Sequence, residues 1–183
     1  VEPQPQVYRA LRLIHGRIDR VKLVQAAVGA GQGSLQMHVN TANPTISTAS
    51  SDLIIAAQGA NEWEGQVWDS VITVPVTTVD SLIEIHGLPD FIKIDVEGFE
   101  LDVLHGLSQP IKALSFEFTT IQREVANACL LQLQALSKYR FNISLGENHR
   151  LEFSNWITAD EMASYLGALP VSANSGDVFA RLV

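Results

Sequence analysis

A chain of 183 residues, 46% hydrophobic and 17% charged, carries enough apolar material for an ordinary single-domain core, which excludes a disordered or fibrous chain. Its 12 Lys and Arg against 20 Asp and Glu leave a formal charge of -8, and no stretch gathers base on one face, so nucleic acid is not an expected partner. The longest apolar runs fall far short of the about 20 residues that span a bilayer, and a single cysteine, Cys129, fits a reducing, cytoplasmic location.

The chain opens at Val1 without Met and runs at once into Glu2-Pro3-Gln4-Pro5, which reads as a cut inside a longer protein. Val7, Ala10, Leu11 and Ile14 then recur at helical spacing over residues 6 to 15, and Gly16 closes that helix. Residues 21 to 28 read as a buried strand ended by Gly29-Ala30-Gly31-Gln32-Gly33. Two more strand-like runs, 34 to 39 and 71 to 79, are expected to pair as a hairpin. The Thr-, Ser-, Asn- and Gly-rich segment 40 to 69 between them, with Trp63 and Trp68, is too long for a plain connection and is expected to be a functional loop. The second half alternates strand and helix: a strand at 91 to 96, a short helix at 99 to 107, a strand at 111 to 118 and a helix at 122 to 136. A strand at 141 to 145, a helix opened by Thr158 and Glu161, and a strand at 178 to 183 complete the chain. Thr119 with Gln122 predicts a capping box for the helix that starts at 122. Such alternation predicts one α/β domain over 1-183 with a mostly parallel sheet covered on both faces.

The most informative segment is Phe91-Ile92-Lys93-Ile94-Asp95-Val96-Glu97-Gly98-Phe99-Glu100. Strand alternation sends Lys93, Asp95 and Glu97 to one face, and open α/β sheets bind ligands beyond the carboxyl ends of their strands. Ser115 and Glu117 repeat the device on the next strand, so carboxylates and one ammonium would converge. Lys93 and Asp95 could instead simply neutralise each other, but several buried carboxylates without a task are costly, which favours function for Asp95, Glu97 and Glu117. Glu100 and Asp102 are read as acids serving the first turn of a helix. Glu2, acidic and just ahead of a helix start, sits where doubly wound folds place a ribose-binding carboxylate, and equally where a helix dipole favours an acid. Of the five histidines, which show no metal-ligand spacing, only His149 in the turn 146 to 150 is kept as a base. Cys129 lies on an apolar helix face and is read as packing. Trp63 and Trp68 could stack on a flat ligand or anchor their loop.

Five separated segments together resemble the FkbM-like methyltransferases: residues 1 to 5, 25 to 29, 74 to 82, 89 to 100 and 114 to 117, with Lys93-Ile94-Asp95-Val96-Glu97-Gly98 the most specific. The resemblance implies a Rossmann-like fold with strand order 3-2-1-4-5-7-6. It also implies transfer of a methyl group from S-adenosylmethionine to an oxygen of a sugar or natural-product scaffold. By the same resemblance Glu2 holds the ribose hydroxyls, Val28 and Gly29 lie near the adenine, and Asp95 and Glu97 lie beside the transferred methyl. Asp95 is then base or substrate anchor, with Glu97 and His149 as further catalytic candidates and Glu117 and Lys93 against the substrate.

The glycine-rich turn that holds the methionine end of the cofactor would precede Val1, and Gly29 to Gly33 does not replace it. The chain is therefore expected to lack the first strand and most of the second, to bind the cofactor weakly or not at all by itself, and to complete its sheet with missing sequence, by rearrangement or with another copy. Two other readings compete. Asp95, Glu97 and Glu117 could hold Mg²⁺ in a metal-dependent transferase or hydrolase, or the chain could be a non-catalytic remnant that binds a partner.

Overall fold

The computed structural model describes residues 1–183, apart from the side chain of Glu62. Pro5 suits a first helical turn, and α1 (Pro5–His15) ends where the Gly16 N–H donates to the Arg12 carbonyl. The helix forms as the spacing predicts but buries none of its residues, and Leu13 is 86% exposed.

The strand expected over 21 to 28 shrinks to β1 (Ala27–Val28), because only these two residues have a strand beside them. Upstream, the Val24 carbonyl accepts the Glu2 N–H at 3.0 Å and ties the amino terminus alongside. β2 (Gly33–Val39) and β3 (Ser70–Thr77) pair antiparallel as expected, from Gly33 opposite Val76 to Val39 opposite Ser70. The intervening segment is not structureless. It carries α2 (Ser51–Ala57), whose Ser50 cap accepts the Leu53 N–H at 3.1 Å, and two short 3-10 turns. The strand expected to reach 79 stops at Thr77, since Thr78 accepts the Ser81 N–H at 3.1 Å and starts α3 (Val79–His86).

The second half supplies β4 (Ile92–Ile94), α4 (Glu100–His105), β5 (Ala113–Thr119), α5 (Arg123–Leu136), β6 (Tyr139–Leu145), α6 (Ala159–Ala168) and β7 (Ser175–Leu182). Thr158 and Glu161 form the capping box that opens α6. The box expected from Thr119 and Gln122 does not form: Gln122 caps α5 without any side-chain bond, and its Oε1 and the Thr119 Oγ1 are both buried without partners. Arg123, the first residue of α5, reaches instead to the carbonyls of Leu166, Gly167 and Leu169 and closes the end of α6.

The strands form two mixed sheets rather than the single, mostly parallel sheet expected. One has the order β1-β3-β2, the other β4-β5-β7-β6. Only β1 with β3 and β4 with β5 run parallel. β7 comes back antiparallel between β5 and β6, and β2 returns against β3. The larger sheet keeps the 4-5-7-6 half of the order implied by the resemblance, and the break falls between β1 and β4, each of which has a strand on one side only. The core lies on the larger sheet, where Leu104, Phe116, Leu130, Phe141 and Met162 are at most 1% exposed. Each such side chain contributes roughly 1.5–3 kcal/mol of burial. Among the described residues no helix is long and apolar enough to cross a membrane.

Candidate functional site

β4 ends at Ile94, three residues short of Glu97, so strand alternation does not by itself point Asp95 and Glu97 together. A tight turn does the work instead. Glu97 and Gly98 both take left-handed backbone conformations, with φ of 55° and 84°, which a residue bearing a Cβ adopts only when its surroundings enforce it. Three bonds enforce it here. A carboxylate oxygen of buried Glu100 accepts the N–H of Val96 at 3.3 Å and of Gly98 at 3.1 Å, and the Thr48 hydroxyl donates to the Glu97 carbonyl at 2.6 Å. Glu100 stands in the first turn of α4, as expected, but it is buried there and its carboxylate clamps the preceding turn. Part of the role of segment 40 to 69 is to brace the turn, through Thr48 and through Leu53, which packs close to Gly98.

On the neighbouring strand the parallel register sets Lys93 beside Ser115, and the same step two residues on brings Asp95 to Glu117. Asp95, Glu97 and Glu117 each offer one carboxylate oxygen within 4.8 Å of the others. The convergence read from the sequence is present, although a turn produces it at Glu97. Burial pushes the Glu97 carboxyl up to about 8, helped by the charges of Asp95 and Glu100. Burial likewise pushes Glu117 up to about 9, with Glu97, Asp95 and Glu100 adding to it. In Glu100 burial outweighs the accepted N–H bonds and carries the group to about 7. The cluster thus keeps protons available near neutrality, the property that acid–base chemistry requires.

Lys93 sits in the cluster on different terms from those expected. Its ammonium donates to Asp177 of β7 at 2.7 Å and lies 3.3 Å from Asp95. Burial works against its charge, but the bonds and charges of Asp177 and Asp95 together prevail and raise its proton affinity. β7 begins at Ser175, three residues before the strand expected from 178, and so takes in Asp177, which the sequence does not single out. Its place opposite Glu117 puts it on this face.

Glu2, Val28, Lys93, Asp95 and Glu97 line one open groove of about 1200 Å³ between the two sheets. Glu2 is half-buried there, with one carboxylate oxygen accepting the Gln4 N–H at 2.7 Å. Burial raises its proton affinity, against the pull of that bond and of the terminal ammonium. Gly29 lies behind the wall: its N–H donates to the Thr77 carbonyl at 2.9 Å, and an added Cβ would meet Val76 and Phe99 at 3.3 and 3.4 Å. His149 is not brought to the cluster. It stands exposed in the turn after β6, 3.7 Å from Glu147, and β5 and β7 separate β6 from β4. Trp63 and Trp68 stack on each other at 6.2 Å, and the Trp68 indole donates to the Ile46 carbonyl, so they anchor their own segment. Cys129 is fully buried, and burial pushes its thiol up, in keeping with packing.

No curated protein and no solved structure matches the chain. A family model does: the methyltransferase FkbM domain matches residues 1–170 of the 183. The chain belongs to the FkbM methyltransferase domain family.

Proposed function

We propose that this chain transfers the methyl group of S-adenosylmethionine to a hydroxyl oxygen of a small acceptor, a sugar or a natural-product scaffold. The observation that carries the reading is the meeting of Glu2, Val28 and Asp95, from three separated segments, on one groove of about 1200 Å³. That volume exceeds the roughly 300–1,000 Å³ of common small-molecule sites. The residues fit the adenosine part of the cofactor. Glu2 has a carboxylate oxygen beyond the one held by Gln4 and can accept from ribose hydroxyls, while Val28 and Phe99 give apolar walls for a flat base.

When bound, S-adenosylmethionine supplies a methyl group on a positively charged sulfur. What remains for the protein is to align an acceptor oxygen and remove its proton. Asp95 is suited to both tasks: its side chain is 45% exposed on the groove, and Lys93 at 3.3 Å fixes the direction of one oxygen. Glu97 and Glu117, with their raised proton affinity, can donate as well as accept hydrogen bonds and so hold a polyhydroxylated acceptor in place.

The test is methyl transfer by the protein in its full natural length to a panel of sugar and natural-product hydroxyls, comparing wild type with Asp95→Asn. The variant is expected to keep its melting temperature and its binding of S-adenosylhomocysteine while losing turnover by 100-fold or more, about 2.7 kcal/mol. Undiminished transfer by the variant removes Asp95 from the reaction.

A further inference from the structure

The acidic cluster has an unusual neighbour. Gln122 is 3% exposed and Thr119 is 7% exposed, yet Gln122 Oε1 and Thr119 Oγ1 find no hydrogen-bond partner. Both residues line a small cavity of about 10 Å³ together with Gly98, Glu100 and Glu117. Gln122 Oε1 points at Gly98, so closely that an added Cβ would stand 2.5 Å from it. Buried oxygens without partners are rare, because each forfeits the free energy of a hydrogen bond.

A bound cation would resolve both anomalies. We propose that Asp95, Glu97 and Glu117 bind a divalent cation, Mg²⁺ or Mn²⁺, and that a water on this cation donates its hydrogens to Gln122 Oε1 and Thr119 Oγ1. The cavity has room for one water-sized occupant, and a cation-bound water, its oxygen turned to the metal, can give away both of its hydrogens. The ligand set is all oxygen, which suits a hard cation. One oxygen from each acid lies within 4.8 Å of the others. Adjacent ligands at about 2.0–2.1 Å from an octahedral Mg²⁺ stand about 2.9 Å apart, so the three acids draw closer together when the site fills. Among the described residues Lys93 is the one cation within salt-bridge distance of these acids, and its closer partner is Asp177. The two residues expected to close a capping box instead line this cavity. In the methyltransferase reading, on which this use of the site rests, the cation would also hold the acceptor oxygen and ease loss of its proton. Cation binding itself does not depend on that use.

Mn²⁺ binding to the protein in its full natural length at pH 7.5, followed by loss of the paramagnetic signal of free Mn²⁺ and by titration calorimetry, tests the proposal. One Mn²⁺ per chain is expected, displaced by Mg²⁺ and raising the melting temperature of wild type. Affinity should fall tenfold or more in Glu117→Gln and a few-fold in Gln122→Met, and stay unchanged in the control Glu152→Gln. Circular dichroism checks that the variants fold, and the melting shift of wild type needs no variant. Absence of Mn²⁺ binding at millimolar concentration, or equal binding by wild type and Glu117→Gln, overturns the site. Methyl transfer that persists in chelator with no Mn²⁺ bound would overturn it and leave the methyltransferase reading standing; Mn²⁺ binding without any transfer does the reverse.

Discussion

The carboxylate of Glu100, 2% exposed, accepts the backbone N–H of Gly98 at 3.1 Å and so closes the turn that carries Asp95 and Glu97. Because the same oxygen also accepts from Val96, Glu100→Ala leaves two half-buried backbone donors without their partner. A loss of about 2–4 kcal/mol is expected from urea denaturation, at about 1–3 kcal/mol per unsatisfied group with partial relaxation. Glu100→Gln retains an acceptor oxygen and should lose clearly less. Equal losses in both variants would show that the side chain acts by packing alone.

Gly98 and Gly59 separate conformational strain from steric exclusion. Both have a left-handed φ, 84° and 86°, but a Cβ on Gly59 meets nothing within 4 Å, whereas one on Gly98 meets Gln122 at 2.5 Å and Leu53 at 3.2 Å. Gly59→Ala is expected to lose about 1 kcal/mol by backbone strain alone. Gly98→Ala should lose at least a further 1 kcal/mol or so from overpacking. Matching denaturation midpoints for the two variants would contradict the close approach of Gln122.

In chelating buffer the buried acids make stability depend on pH with a definite sign. Glu97 and Glu117 hold protons up to about pH 8 and about pH 9 when folded, against 4.5 for the ordinary group. Below about pH 4.5 both folded and unfolded chains are protonated there, and no difference arises. As the pH climbs above that value the unfolded chain releases its protons first, so the folded state loses stability progressively until about pH 9. Urea midpoints at pH 5, 7 and 9 should fall in that order, and less steeply for Glu117→Gln. A midpoint that rises over this range would refute the raised proton affinities.

Cys129 is 0% exposed on the core face of α5, with its thiol pushed up by burial and by the charges of Glu100 and Asp102. The thiolate is the reactive form, so native protein should resist Ellman's reagent at pH 8 and react only at the rate of unfolding. Rapid labelling of native protein would place this helix face outside the core.

Much of the fold was legible where a signal is local. The capping box at Thr158 and Glu161 sits inside α6's own first turn and forms as predicted. Chain segments whose state depends on a neighbour were read less well. Residues 21 to 24 carry strand-like side chains, but without a strand beside them they take no regular structure. The run Val76-Thr77-Thr78-Val79 looks uniformly β-branched, and the Thr78 cap divides it between β3 and α3. At the site, Asp95, Glu97 and Glu117 were legible as residue types in a strand-end pattern. Gln122, Asp177 and the burial of Glu100 were not, since each takes its meaning from residues brought close only by the fold.

The central claim is that the groove bordered by Glu2, Val28 and Asp95 is the cofactor site of a methyltransferase. Calorimetric titration of S-adenosylhomocysteine into the protein in its full natural length, wild type beside Glu2→Gln, tests it most directly. A charge-assisted hydrogen bond to a ribose hydroxyl contributes about 1.5–3 kcal/mol, so the account predicts saturable one-to-one binding that weakens about 10- to 100-fold in Glu2→Gln. No binding by wild type, or the same affinity in both proteins, would contradict it.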